Sequence, residues 1–180
     1  ALLSVVEACT ARYREDVDFH RAYIDYVRGR YDDALPVFQR LEGDAKYADE
    51  APFYTADIYL KQGRFKEAEQ TALRCASRAD GPRKAELNRI VGGARYGLGR
   101  TAEAMTSLEA YVASTDRPER NALYQLGMCY YDARAFGRAA DMLGRVTLAG
   151  PDALTQNACL HMGLAFLELE DKTQARMAFG

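Results

Sequence analysis

The chain lacks most of what a catalytic or metal centre is built from. Only two histidines, His20 and His161, occur in 180 residues, and neither has a partner at the spacing of a triad or a ligand set. The four cysteines, Cys9, Cys75, Cys129 and Cys159, form no CxxC pair, which removes the sequence basis for a zinc or redox site. They read as small hydrophobic residues inside helical patterns, Cys75 as a buried one, and no disulfide is expected. No phosphate-binding loop, GxGxxG, HExxH or nucleophile elbow is present. The reading therefore assigns no catalytic residue, metal or cofactor, and the chain is not expected to be an enzyme. Neither sign of charge dominates: 24 basic and 26 acidic residues leave a net charge of −2 and a pI near 5.8. That excludes the basic footprint of a nucleic-acid binder. No apolar run is long enough to span a membrane. The opening residues lack the basic segment of a signal peptide, and Glu7 argues against lipoprotein processing at Cys9. The absence of an initial methionine points to a piece of a longer protein.

What the chain does have is an internal period. Residues 120–151 carry two helix patterns joined by a turn near 133–136, and the same template recurs along the chain. Ala34, Ala68, Ala104, Ala139 and Ala175 stand 34, 36, 35 and 36 residues apart. Twelve residues before each stands another small residue: Ala22, Ala56, Gly92, Gly127 and Gly163. Small residues at two fixed places allow paired helices to approach closely, and each pair completes its core only against a neighbour. A period of about 34 built from two short helices is the mark of a helical repeat.

On Leu123, Leu126, Gly127, Tyr130, Ala139, Leu143 and Pro151, with the other units in phase, the chain resembles the tetratricopeptide-repeat (TPR) family, in texture its bacterial members. The resemblance implies an all-α fold, a right-handed α-solenoid of antiparallel helix pairs with about five repeats. It places repeats at 15–48, 49–84, 85–119, 120–155 and 156–180, the last cut short, in one domain spanning 1–180. Residues 1–14 read as the second helix of a preceding repeat or as a cap.

Turns are expected at Gly29, Gly63 and Gly99, since glycine tolerates positive φ. Pro36 is acceptable if it lies in the first turn of its helix, and Asp49 reads as an N-cap. The third repeat fits the template least well. Arg95 replaces an aromatic there, and Gly92, Gly93 and Gly97 lower helix propensity, which indicates either close packing or a hinge.

The resemblance further implies that a stripe on each first helix lines a groove for a protein or peptide partner. Carried onto this chain, the stripe is Phe19, Tyr23, Tyr26, Phe53, Asp57, Arg89, Tyr96, Tyr124, Met128 and Tyr131. Its rings are expected to be exposed and interleaved with Asp57, Arg89 and Asp132, suiting an extended apolar segment with a few polar anchors. The alternative is that some of these rings are core. The lysine–asparagine clamp with which some family members grip a C-terminal carboxylate is absent from every window of three repeats. The competing function is a structural spacer, or a segment that self-associates through exposed end repeats. Bacterial cytoplasm and cell envelope are both compatible locations.

Overall fold

Ten α-helices and no strand occupy the described residues of the computed structural model, which are 2–148 and 150–180, with side chains described from Tyr13 onward. In order they are α1 (Leu2–Val27), α2 (Tyr31–Leu41), α3 (Ala51–Lys61), α4 (Phe65–Ala76) and α5 (Gly81–Gly97). There follow α6 (Thr101–Ala113), α7 (Arg120–Asp132), α8 (Phe136–Thr147), α9 (Ala153–Glu168) and α10 (Lys172–Phe179). Odd-numbered helices are the first members of five antiparallel pairs and even-numbered helices the second.

One backbone device makes all five pairs. The residue five positions before each repeat alanine adopts positive φ: Gly29, Gly63 and Gly99 near 75°, Arg134 at 58° and Glu170 at 59°. The next residue's N–H then reaches back five residues to close the first helix. These bonds run Arg30 to Asp25 O, Arg64 to Tyr59 O, Arg100 to Arg95 O, Ala135 to Tyr130 O and Asp171 to Phe166 O, at 2.8–2.9 Å. This is the Schellman ending, which satisfies the orphan carbonyls of a helix C-terminus. Glycine enters the left-handed region freely, and the other residues pay for it.

The small residues act where the pattern places them. A Cβ built on Gly92 would lie 2.7 Å from Leu108 Cγ, and one on Gly127 would lie 2.8 Å from Leu143 Cγ. On Gly163 it would meet the Phe179 ring at 2.3 Å. In each pair the opposing residue comes four positions after the repeat alanine. The glycines at 92 and 127 are therefore close-packing positions. Arg95, the odd residue of that repeat, donates to Ser107 Oγ at 3.1 Å and so ties α5 to α6.

The helices fall into two compact units, one reaching Arg78 and the other running from Ala79 to Gly180. In the first, α1 packs on α2, α2 on α3 and α3 on α4. Its core includes Phe19, Phe38, Leu41, Tyr47 and Ile58. In the second, each helix from α5 to α9 packs on the next, and the first helices α5, α7 and α9 also meet in a row. Leu108, Leu126, Leu143 and Val146 are fully buried there.

Four local expectations are corrected. No break separates residues 1–14, expected as a helix of their own, from the first repeat. Helix α1 is continuous, because no glycine or proline precedes Gly29. The side chains of residues 1–12 lie outside those described. Pro36 sits past the first turn of α2, on its exposed side, where its missing N–H leaves the Asp32 carbonyl without that helical partner. Asp49 does not cap α3, whose N-cap is Glu50. Cys75 is half-buried rather than buried, its thiol held against Thr71 O at 3.2 Å.

Candidate peptide-binding surface

In the first unit the expected stripe begins on α1, where an aromatic every three or four residues keeps the rings on neighbouring faces. Phe19 does not face solvent. It is 8% exposed, stacks on Tyr47 at 4.4 Å and meets Phe38 edge-on at 5.7 Å. The connection at 42–50 carries Tyr47 over it, and Tyr47 Oη donates to Asp16 Oδ1 at 2.7 Å. The Lys46 ammonium beside Asp16, together with that hydroxyl, holds the Asp16 carboxyl below its usual range. Tyr23, one turn on, is 42% exposed. Its ring lies 6.3 Å from that of Tyr26, whose hydroxyl donates to Asp57 Oδ2 at 2.6 Å. Asp57 is completely buried, with Lys61 Nζ 3.4 Å away, so its carboxylate is engaged inside the fold rather than presented as an anchor. Phe53 is half-buried against Tyr54 at 5.3 Å.

The second unit holds the rest. Tyr96 on α5 and Tyr131 on α7 are half-buried against a core of Leu108, Leu126, Cys129 and Tyr130. Tyr124 packs similarly over Leu123, Leu143 and Val146. The rings of Tyr124 and Tyr131 each lie 6.2 Å from the ring of His161 on α9, so one imidazole gathers both. Burial raises the phenol pKa of Tyr96 and of Tyr124, which keeps both as neutral hydrogen-bond donors. Met128 is half-buried. Arg89 is mostly covered and bonded to Glu86 at 2.7 Å and to Glu119 at 3.2 Å, so it too is internally committed. Asp132 is exposed.

The ten residues expected on one stripe thus divide into a core ring, Phe19, six partly exposed rings, the half-buried Met128 and two internally satisfied polar groups. Sequence reasoning missed three contributors. Tyr54 touches the rings of Phe19, Tyr23, Tyr26, Phe38 and Phe53 and is the hub of the first unit's aromatic cluster. Tyr47 lies in a connection that carried no pattern. His161 has no partner spacing in the sequence that marks it. The only available signal was the local density of aromatics. Among the described residues no cluster of His, Cys, Asp and Glu is placed to hold a metal ion. Nor is any helix among them long and apolar enough to cross a membrane.

A family model described as tetratricopeptide repeat matches the chain twice, over residues 19–83 and 56–118, more than half of its length together. Solved structures match along nearly the whole chain. One is MamA, at 18% identity and TM-score 0.69, covering 88% of this chain and 90% of that one. MamA (41-end) from Desulfovibrio magneticus RS-1 matches at 17% identity and TM-score 0.72, covering 92% and 90%. YrrB, titled a TPR protein with an unusual peptide-binding site, matches at 17% identity and TM-score 0.71, covering 96% and 87%. At these identities the likeness is one of fold. No curated protein sequence matches the chain.

Proposed function

This chain belongs to the tetratricopeptide-repeat family, and from that premise we propose that it is a non-catalytic module that binds a protein or peptide segment across the faces of its first helices. The observation that carries the reading is the row of half-buried rings in the second unit. Tyr96, Tyr124, Tyr131 and His161 sit on α5, α7 and α9, which contact one another in succession. Aromatic rings offer large apolar area with few rotors to immobilise, and partly covered rings are held in place before a ligand arrives. Tyr23 and Phe53 offer a comparable patch in the first unit. Of the polar groups, Asp132 is exposed and suits an anchor, whereas Asp57 and Arg89 hold the surface in shape. The peptide-binding site named for YrrB supports this reading by analogy of fold.

The test is selection from a displayed peptide library, comparing the native chain with a variant in which Tyr23, Phe53 and Tyr124 are all alanine. The native chain is expected to enrich apolar, extended peptides. The variant should keep its helical circular dichroism and lose that enrichment. Enrichment of the same peptides by both proteins would refute the groove.

The second reading, a spacer or self-associating segment, draws on Leu160, Leu167, Met177 and Phe179, which remain about half exposed or more on α9 and α10. Concentration-dependent sedimentation, abolished by Met177→Asp, would favour it.

A further inference from the structure

The tyrosines of the second unit fall into two groups. Tyr111 and Tyr130 are buried and hold their hydroxyls on partners within the chain. Tyr111 Oη accepts from Glu119 N–H at 3.0 Å, and Tyr130 Oη donates to Glu109 Oε1 at 2.7 Å. Tyr96, Tyr124 and Tyr131 are half-buried, and their hydroxyls make no hydrogen bond among the described residues. Their rings are held by the fold while their polar ends serve nothing in it. Asp132 closes α7 directly after Tyr131, is exposed, and likewise has neither a hydrogen bond nor an ion pair among the described residues. Burial, and after it the neighbouring Tyr124, Cys129 and Asp132, raise the Tyr96 phenol pKa, so the Asp132 charge reaches α5. One carboxylate and a set of tyrosine rings thus share one surface.

Two features separate Asp132 from a residue that serves folding. A carboxylate on the last residue of a helix faces the negative end of the macrodipole, which opposes it. The repeat register supplies the other. One repeat on, the equivalent of Asp132 is Glu168, which closes α9 and pairs with Arg134 at 3.3 Å. One repeat back, the equivalent of Arg134 is Gly99, which has no side chain. Asp132 therefore lacks the guanidinium that its counterpart has. The arginines flanking these rings in α5 and in the turn after α7 are committed elsewhere. Arg89 is bonded to Glu86 and Glu119, and Arg95 reaches Glu103 and Ser107. Arg134, besides its pair with Glu168, lies over the Phe136 ring at 5.4 Å.

We infer that the segment bound on this surface sets a lysine or arginine side chain on Asp132, its stem lying across the neighbouring tyrosine rings. The inference rests on the peptide-binding reading of the same surface and adds the chemistry of its polar anchor. A cation over a tyrosine face is attracted by the ring quadrupole, and the carboxylate forms a charge-assisted bond with an ammonium or guanidinium. The aliphatic stem of either residue suits the apolar faces of the rings. The unpartnered hydroxyl oxygens of Tyr96 and Tyr124 are acceptors for the remaining N–H groups of the same head. An acidic side chain in that place would meet like charge at Asp132 and no spare cation, which selects against it.

A displayed-peptide selection tests the inference when it is read position by position. The native chain should enrich lysine or arginine at one fixed position of the selected peptides and deplete aspartate and glutamate there. Changing that residue to glutamate in a synthetic copy of one selected peptide should weaken binding at least about tenfold by fluorescence anisotropy. Asp132→Asn should remove most of that difference, and Asp132→Lys should reverse it. Circular dichroism and thermal melts of both variants should match or exceed the native chain, because the end of α7 disfavours an acid. Selected peptides that the Tyr23, Phe53 and Tyr124 alanine variant no longer binds, yet which share no basic position, would overturn the inference and leave the binding surface standing. A basic position indifferent to Asp132→Asn and Asp132→Lys would overturn it too. Failure of the native chain to enrich any peptide would remove both the surface and its anchor.

Discussion

The two units solve the same helix-pair contact with different chemistry. From Ala79 onward, the first helix gives up its Cβ at Gly92, Gly127 and Gly163 so that Leu108, Leu143 and Phe179 can fill the gap. Up to Arg78 the equivalent places keep their methyls as Ala22 and Ala56. Opposite Ala56 the filler itself shrinks, to Ala72. Opposite Ala22 it is Phe38, whose ring stacks on Tyr54 at 4.9 Å and meets Phe19 edge-on. The close approach is thus a property of a residue pair, and either partner can be the small one. The units also differ in filling: the first is built around an aromatic cluster, the second around leucines with Tyr111 and Tyr130, while Tyr96, Tyr124 and Tyr131 lie half-buried at its edge.

The largest expected effect tests the aromatic half of this contrast. Phe19→Ala should cost about 3–5 kcal/mol by leaving a cavity among Phe38, Tyr47 and Tyr54. Tyr23→Ala, one turn along the same helix, should cost under about 1 kcal/mol, as surface changes do. Thermal melts that rank the two equally would dissolve the distinction between core ring and surface ring.

Next comes the pair contact. Gly127→Ala should overpack against Leu143 and lose about 1–3 kcal/mol, and Ala139→Leu should lose a similar amount. Combining Gly127→Ala with Leu143→Ala recreates the Ala56–Ala72 arrangement. The double variant should therefore be less destabilised than the two singles predict, and a double-mutant cycle measures that coupling. Strict additivity would mean that the two residues are not partners.

A smaller effect sits at the turns. Three use glycine at positive φ, whereas Arg134 and Glu170 adopt the same conformation with side chains. Arg134→Gly should gain a few tenths to about 1 kcal/mol by relieving the left-handed strain, after the loss to unfolded-chain entropy. Gly99→Ala should lose a comparable amount. Chemical denaturation of both variants decides whether the turns are interchangeable.

The smallest effect is electrostatic. Arg120 grips Asp152 at 2.8 Å and 3.0 Å, and Asp152 also accepts from Thr155 N–H at the start of α9. The arginine first, and then the amide, hold its carboxyl well below the ordinary value of 3.8. A depressed folded pKa means that the stabilisation is present above about pH 4 and is lost as pH falls toward the folded value. Melts between pH 7 and pH 2 should show a slightly shallower acid loss for Asp152→Asn than for the native chain. Identical acid profiles would show that the pair contributes nothing.

Much of the candidate site was legible in part. The stripe spacing located Tyr23, Tyr26, Tyr124 and Tyr131 on first helices, because a face repeats every three or four residues whatever surrounds it. It could not tell Phe19 from Tyr23. The difference lies in Tyr47, which arrives from a connection 28 residues after Phe19. Nor could it show that Asp57 and Arg89 face inward. Each is satisfied by a partner about thirty residues away, Tyr26 and Glu119 respectively. His161 was invisible for the same reason.

By itself the sequence determined the period, the five pairs, four of the five turns and the close-packing sites. These depend on residues at fixed short spacings: a left-handed residue between helices, or a small residue twelve places before another. Only the tertiary structure decided which rings are covered and which charges are paired. Burial and pairing are set by side chains arriving from other helices and connections, and no local pattern encodes where those will come to rest.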